Sequence, residues 1–351
     1  MTQLFWGTYP PAGLGTPVGQ GEGLYRQDGS RTDLVLPLDA PSFVVAHPTL
    51  PLLYVVSESP ASELHVIDVT AGARVVASVP TGGVEGCHIL LAPDAGVAYV
   101  SHYGSGDVAV VRLGADGLPV AATPQQLLGH SGSGPRQDRQ LGPHAHFAGY
   151  APGGRHLLVA DLGTDELRRY RLLDDGLLEP DGIAAALPPG SGPRHFAVRG
   201  EMIYLVCELD HRLRTLRWAP ADADADVIAE VPTTTAPQRT GNDVYDAHVA
   251  LVGEDLLLVS IRGVDVIAVF DLSPEGEARY RTSLDAGHWP RYFAAIGGRL
   301  HVGCERGHEV RSYDLAQVLA LPAETSVGGI AALPFETAPI MSPACVTVAP
   351  A

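Results

Sequence analysis

One pattern returns along this chain and limits what it can become. A short strand opens after Pro or Gly, a turn with Pro, Asp or Gly follows, and a second β-branched strand ends in a polar residue. Residues 41–48 lead in this way to 53–58, 87–94 to 98–103, 144–147 to 157–161, 193–198 to 203–208, 247–251 to 256–262, and 290–294 to 300–305. Glu58, His102, Asp161, Glu208, Ile261 and Glu305 fall in one phase, separated by 44, 59, 47, 53 and 44 residues. A pitch of about 40–50 residues is that of a four-stranded propeller blade.

After each second strand comes a third, as in Asp107–Leu113 and Val266–Leu272. Helical periodicity is nearly absent, and only residues 315–321 suggest a helical turn. Without helical crossovers a parallel α/β fold is excluded. The ends supply one more blade. Leu4–Tyr9 and Gly23–Arg26 read as inner strands with no partner before them, and Ala344–Val348 as a late strand with none after. Pairing them closes the ring and hides both edges. The expectation is therefore an all-β, seven-bladed β-propeller formed by residues 1–351 as one domain. The stretch from Gly114 to Pro143 is the longest without strand character, and such loops tend to be functional or mobile.

Composition removes several chemistries. All 23 basic residues are arginine, so no lysine Schiff base, P-loop lysine or carbamylated lysine is available. A net charge of −17 argues against a nucleic-acid partner but not against a small anion held by a few gathered arginines. No run is long enough to span a membrane. The first residues lack a basic segment followed by an apolar one. Four cysteines, none in a C-x-x-C pair, make neither a disulfide framework nor a zinc site. These features predict a cytoplasmic protein with no membrane partner. A closed ring has few free edges, so a monomer is expected.

In a propeller, residues at one phase of successive blades converge at a channel mouth. The first-strand openings supply Ser42, His88, His144, His146, Arg194, His195, His248 and Arg291, and the second-strand ends Glu58, His102, Asp161, Glu208, Arg262 and Glu305. Polar residues ending apolar strands are the informative exceptions. His144 and His146 lie two apart and are expected on one face. Proton transfer or substrate orientation suits this pair better than metal binding. Gly13-Leu14-Gly15 and Gly19–Gly23 lack dinucleotide-binding spacing, and no H-E-x-x-H, nucleophile elbow or W-D dipeptide occurs.

Several segments resemble the propeller-type lactonase family, which contains bacterial 6-phosphogluconolactonases and fungal carboxy-cis,cis-muconate cyclases. They are Ser101–Val108, Arg139-Gln140 followed by Pro143–His146, Asp161–Asp165 (DLGTD), Gly190–His195, Glu208-Leu209, Ser260–Gly263 and Trp289–Arg291. The order holds from Phe5 to Val346. The resemblance implies seven blades, no cofactor and no obligatory metal. It places catalytic roles on His146, Arg194, Glu208 and Arg262. His102, His144, His195, Arg291 and Arg139 are then expected to contact the substrate. The chain departs from the family where Asn is frequent, carrying Ser57, His102, Cys207 and Ile261.

The resulting expectation is hydrolysis of a small anionic sugar lactone, foremost 6-phosphogluconolactone. Glu208 or His146 would activate water, and Arg194 and Arg262 would hold the oxyanion or the phosphate. The alternatives are a carboxymuconate cycloisomerase, a non-catalytic binding propeller, and a calcium-dependent lactonase using Glu58, Asp161 and Glu305.

Overall fold

Burial sorts the strands of the repeat by position. Leu52–Val56, Val97–His102 and Leu256–Arg262 are buried at every residue, as strands covered on both faces must be. Arg74–Pro80 and Asp224–Pro232 are mostly exposed or half-buried and form outer edges. The computed structural model describes residues 3–9, 19–239, 243–323 and 328–349; Gly13 and Gly15 lie outside them. The chain folds into seven sheets arranged as a β-propeller.

Counting from the N-terminus, the second to fifth blades each run outward through four consecutive antiparallel strands; the sixth adds a fifth, parallel strand, Ile330–Ala331, and the seventh takes its fourth, Phe335–Pro339, from beyond it. The second blade opens with Phe43–Ala46, the third with Gly86–Leu91 and the fourth with Ala145–Tyr150. The fifth, sixth and seventh open with Pro193–Arg199, Tyr245–Val252 and Pro290–Ile296. Each opening strand contacts the next around the ring and lines the channel. The first blade closes the circle, with Pro343–Val348 innermost, followed outward by Leu4–Thr8, Gly23–Asp28 and Arg31–Pro37. The termini thus meet in one blade, but the roles differ from the expectation. The C-terminal strand is the inner one and Leu4–Thr8 is second, because only the second position offers this apolar segment cover on both faces.

The long stretch after Gly114 also differs from its reading. Gln126–Leu128 pairs with Val108–Val110 as the fourth strand of the third blade. Three residues give too short a pattern to stand out in sequence. The helix expected near residue 315 is Leu315–Leu319, capped by Asp314 accepting from the Gln317 amide at 3.0 Å.

Blades are fastened through their apolar faces and a repeated latch. The buried second-strand tyrosines Tyr54, Tyr99 and Tyr204 donate to the carbonyls of Gly117, Gly176 and Gly276 in the following blade at 2.8, 2.9 and 3.1 Å. Each phenol brings a large apolar ring into the seam while its hydroxyl stays satisfied. Among the described residues no helix is long and apolar enough to cross a membrane.

Candidate active site

The channel end of nearly every innermost strand carries a one-residue irregularity. Ala145 pairs with Asp161 but Phe147 with Ala160, leaving His146 extra. Pro193 pairs with Cys207 and His195 with Val206, leaving Arg194. Pro290 pairs with Cys304 and Tyr292 with Gly303, leaving Arg291. Cys87 is the extra residue of the third blade and Ala344 that of the first. A β-bulge bends its strand and re-aims the extra side chain. The bulged His146, Arg194 and Arg291 accordingly turn into one cleft at the channel mouth, together with Cys87. His144 does not share that face. The bulge interrupts strand alternation, so His144 instead stacks on Tyr103 at 4.4 Å between ring centres, with Nδ1 2.5 Å from the Tyr103 carbonyl oxygen.

A second ring of residues comes from the ends of the second strands. Register makes Cys207, opposite Pro193, equivalent to His102, opposite Gly86, and to Asp161, opposite Ala145. The residue one step on faces the mouth in five of the blades: Tyr9, Glu58, Tyr103, Glu208 and Arg262 line the cleft with His146, Arg194, Arg291 and Arg139. His102, Asp161 and Ile261 therefore lie one residue before the mouth-facing position, whereas Glu58 and Glu208 of the same phase reach it, and in a strand one residue reverses the face. His102 is fully buried between blades, 2.7 Å from both Asp107 Oδ1 and Thr81 Oγ1, and is not among the residues lining the cleft. Asp161 ties a turn, its Oδ1 accepting from the amides of His144, Gly163 and Thr164 at 2.9, 2.9 and 3.0 Å. Gly163 belongs to the same fastening, because a Cβ there would lie 1.9 Å from the Gly142 carbonyl oxygen. Tyr103, Tyr9 and Cys87 escaped sequence reasoning. Tyr103 becomes visible only when the register is aligned residue by residue.

Glu208 sits at the centre of the mouth. Its Oε1 is 2.6 Å from Arg139 Nη2, and its Oε2 is 2.7 Å from Arg262 Nη2 and 2.9 Å from Arg194 Nε. The loop before the fourth blade carries Arg139, which also reaches Tyr103 Oη at 3.2 Å. Arg194 further donates to the Ala247 carbonyl, and Arg262 to those of Tyr245 and Asp246. Arg291 bridges Glu305 at 3.1 Å and approaches Glu58 at 3.8 Å, beneath the Tyr9 ring. Burial would raise the Glu208 carboxyl, but Arg262, Arg139 and Arg194 hold it well below the usual carboxylate range. Burial pushes Glu58 up. Burial and Arg262 bring Arg194 down to about 9, still charged at neutral pH. Four guanidiniums against three carboxylates, one of them raised, give this mouth a local positive excess in a chain of net charge −17.

His146 is buried and held neutral, its imidazole pushed well below the ordinary value by burial and by Arg194. Cys87 Sγ lies 4.0 Å from its Nδ1, but burial raises the thiol strongly, which leaves no thiolate nucleophile. Below the mouth the channel narrows onto further imidazoles. His195 Nδ1 and His248 Nδ1 are 2.9 Å apart, and His88 Nδ1 accepts the Ala148 amide at 3.3 Å. His195 thus forms the floor of the cleft. Burial and Arg194 push His88 and His248 down to about 3.

Among the described residues no group of three or more His, Cys, Asp or Glu gathers in a metal-binding arrangement. Glu58 and Glu305 both face Arg291 while Asp161 holds its turn, so the three carboxylates of the calcium reading do not converge. The mouth itself is tight, with about 20 Å³ of water-sized free space. A larger cleft of about 600 Å³ runs between Ala92 and Gly176, but its one arginine, Arg112, is already paired, 2.5 Å from Asp175. Convergent polar groups, not size, single out the channel mouth.

A family model described as Lactonase, 7-bladed beta-propeller matches residues 14–326. A curated 6-phosphogluconolactonase of Bacillus subtilis is 28% identical over 294 residues, covering 78% of this chain and 81% of that protein. A solved structure called a putative 6-phosphogluconolactonase, from Bacteroides uniformis, superposes with a TM-score of 0.82 at 23% identity, covering 99% of each chain. A periplasmic gluconolactonase of Pseudomonas aeruginosa gives 0.80 at 22% identity, again over 99% of each. At such identities the two structures speak to the fold.

Proposed function

The chain belongs to the seven-bladed β-propeller lactonase family, and on that premise we propose that it hydrolyses a small anionic sugar lactone, 6-phosphogluconolactone foremost. The observation that carries the reading is the pairing of a neutral buried imidazole, His146, with Arg139, Arg194 and Arg262 in one cleft. Lactone opening needs a base for water, a counter-charge for the carbonyl oxygen and a proton for the departing ring oxygen.

His146 is the base. It takes a proton from water as the water oxygen bonds to the carbonyl carbon. The carbonyl oxygen becomes an oxyanion, held by Arg194 and Arg262. Collapse of the adduct breaks the bond to the ring oxygen, which receives the proton back from the imidazolium, and the product is the open hydroxy acid. Glu208 is not the base, because three guanidiniums have removed its basicity. It positions them and offsets their mutual repulsion. Arg139 has Nε and Nη1 buried without a partner among the described residues, two donors free for an anionic substrate. His195 and Arg291 shape the floor and side of the same cleft.

The catalyst works as a cytoplasmic monomer in this reading, in keeping with four free, buried cysteines and a closed ring. The test is a coupled hydrolysis assay on 6-phosphogluconolactone with spontaneous opening subtracted. Wild-type protein should turn over, and Arg194→Ala should lose about 10²–10³ in kcat. Turnover of a carboxymuconate with none of the lactone would instead favour the cycloisomerase. No turnover of either would leave a binding propeller.

A further inference from the structure

Arg306 stands out among the arginines around the mouth. It follows Glu305, at the same end of the seventh blade as the cleft residues. Its guanidinium carbon lies 3.2 Å from the centre of the Trp289 indole, and that of Arg262 lies 5.9 Å from the same centre. The side chain is half-buried, yet no carboxylate or hydrogen-bond acceptor among the described residues pairs with it, and Nε is buried without a partner. The two nearby carboxylates are committed elsewhere. Glu305 bonds Arg291, and Asp265 accepts from the amides of Gly263 and Trp289 at 3.1 and 2.9 Å and from His288 Nδ1 at 2.9 Å.

The platform beneath Arg306 is held in a costly shape. Trp289 has φ of 66° while almost fully buried, a conformation bulky residues seldom adopt. Such strain persists where the surroundings enforce it, and it concentrates at ligand sites. Here Asp265 fixes the Trp289 amide. Glu305 N donates to the Trp289 carbonyl at 3.0 Å and Gly307 N to that of His288 at 3.2 Å, clamping the Arg306 turn onto the indole. The result is a flat, pre-oriented guanidinium with open donors, one indole away from Arg262. A stacked planar fork of this kind suits an anionic oxygen cluster.

We propose that Arg306, carried on Trp289, binds the anionic tail of the lactone, its phosphate in 6-phosphogluconolactone, while the carbonyl end lies at Arg194 and His146. This inference rests on the hydrolysis reading for its substrate but not for its anion. Arg306 then sets specificity: it discriminates phosphorylated from neutral lactones.

The experiment uses Arg306→Gln, which keeps a planar group on the indole and removes the charge. KM for 6-phosphogluconolactone should rise about 10–100-fold, with kcat little changed and kcat/KM for neutral gluconolactone unchanged. In parallel, inorganic phosphate at matched ionic strength should raise the melting temperature of the wild type and not that of the variant. An unchanged KM for the phosphorylated lactone overturns the proposal, as does an equal loss on both lactones. Phosphate protection that survives Arg306→Gln, or is missing from the wild type, also overturns it. If the wild type hydrolyses neither lactone but phosphate protection still depends on Arg306, the hydrolysis reading falls and the anion seat stands.

Discussion

Glu208 holds Arg139 at 2.6 Å across 69 residues of sequence, and the same carboxylate receives Arg194 and Arg262 from two other directions. Both its oxygens are occupied by cations, and the carboxylate is buried. The mouth is thus assembled around one anion, and removing that anion leaves three buried guanidiniums facing one another.

Glu208→Gln keeps the shape and deletes the charge. Breaking a buried ion network from one side costs about 3–5 kcal/mol. The variant is expected to lose stability on that scale in urea unfolding and to lose lactone hydrolysis with it. Full stability in Glu208→Gln would mean that the carboxylate does not anchor the arginines.

His146 sets the pH dependence. A base must be unprotonated to act, and burial with Arg194 places this imidazole well below its ordinary value. The kcat/KM of lactone hydrolysis should therefore stay level through neutral pH and fall only at pH well below 6.5. His146→Gln should lose about 10²–10⁴-fold and flatten the acid limb. An acid limb centred at or above pH 6.5 would contradict the assignment.

The channel imidazoles predict an acid-sensitive fold. His88 and His248 are neutral in the folded channel, pushed down to about 3, whereas the unfolded chain binds their protons near 6.5. Their contribution is complete above pH 6.5 and is lost as the pH falls from there toward 3. The loss is at most about 1.4 kcal/mol per pH unit for each. The Glu208 contribution disappears only below the ordinary carboxylate range, since its folded value is depressed. Urea unfolding at pH 7, 6 and 5 should show falling stability before the Glu208 carboxylate titrates, and a constant value over that interval would refute it.

His102 gives the contrasting prediction. It sits between blades against Asp107 and Thr81, away from the cleft. His102→Asn, the residue frequent in the related family segment, should lower stability by about 1–3 kcal/mol while kcat/KM for the lactone changes less than about threefold. A selective rise in KM without a stability loss would return His102 to the substrate site.

Much of this could be read from the chain. His146, Arg194, Glu208, Arg262, Arg139, His195 and Arg291 all meet at the mouth. All but Arg139 were legible because a repeat places equivalent positions on one ring; Arg139, on a loop, was legible only through the family-like segment around it. His102 and Tyr103 are adjacent polar residues at one strand end, and residue type alone does not say that Tyr103 is the one facing the mouth. His144 was paired with His146 because the bulge that separates them has no signature in residue type.

The blades are written in the local pattern of the chain. Period and alternation are local properties, written into each stretch of about fifty residues, and closure follows from two unpartnered ends. Tertiary structure decided which of two adjacent polar residues faces the channel, since a single extra residue at a bulge reverses a side chain. It also decided that Glu208 is ringed by three guanidiniums and that the His146 imidazole is buried and neutral. Acidity depends on which charges come within hydrogen-bond distance and how much water is excluded, and those neighbours arrive from positions 139, 194 and 262 only once the ring has closed.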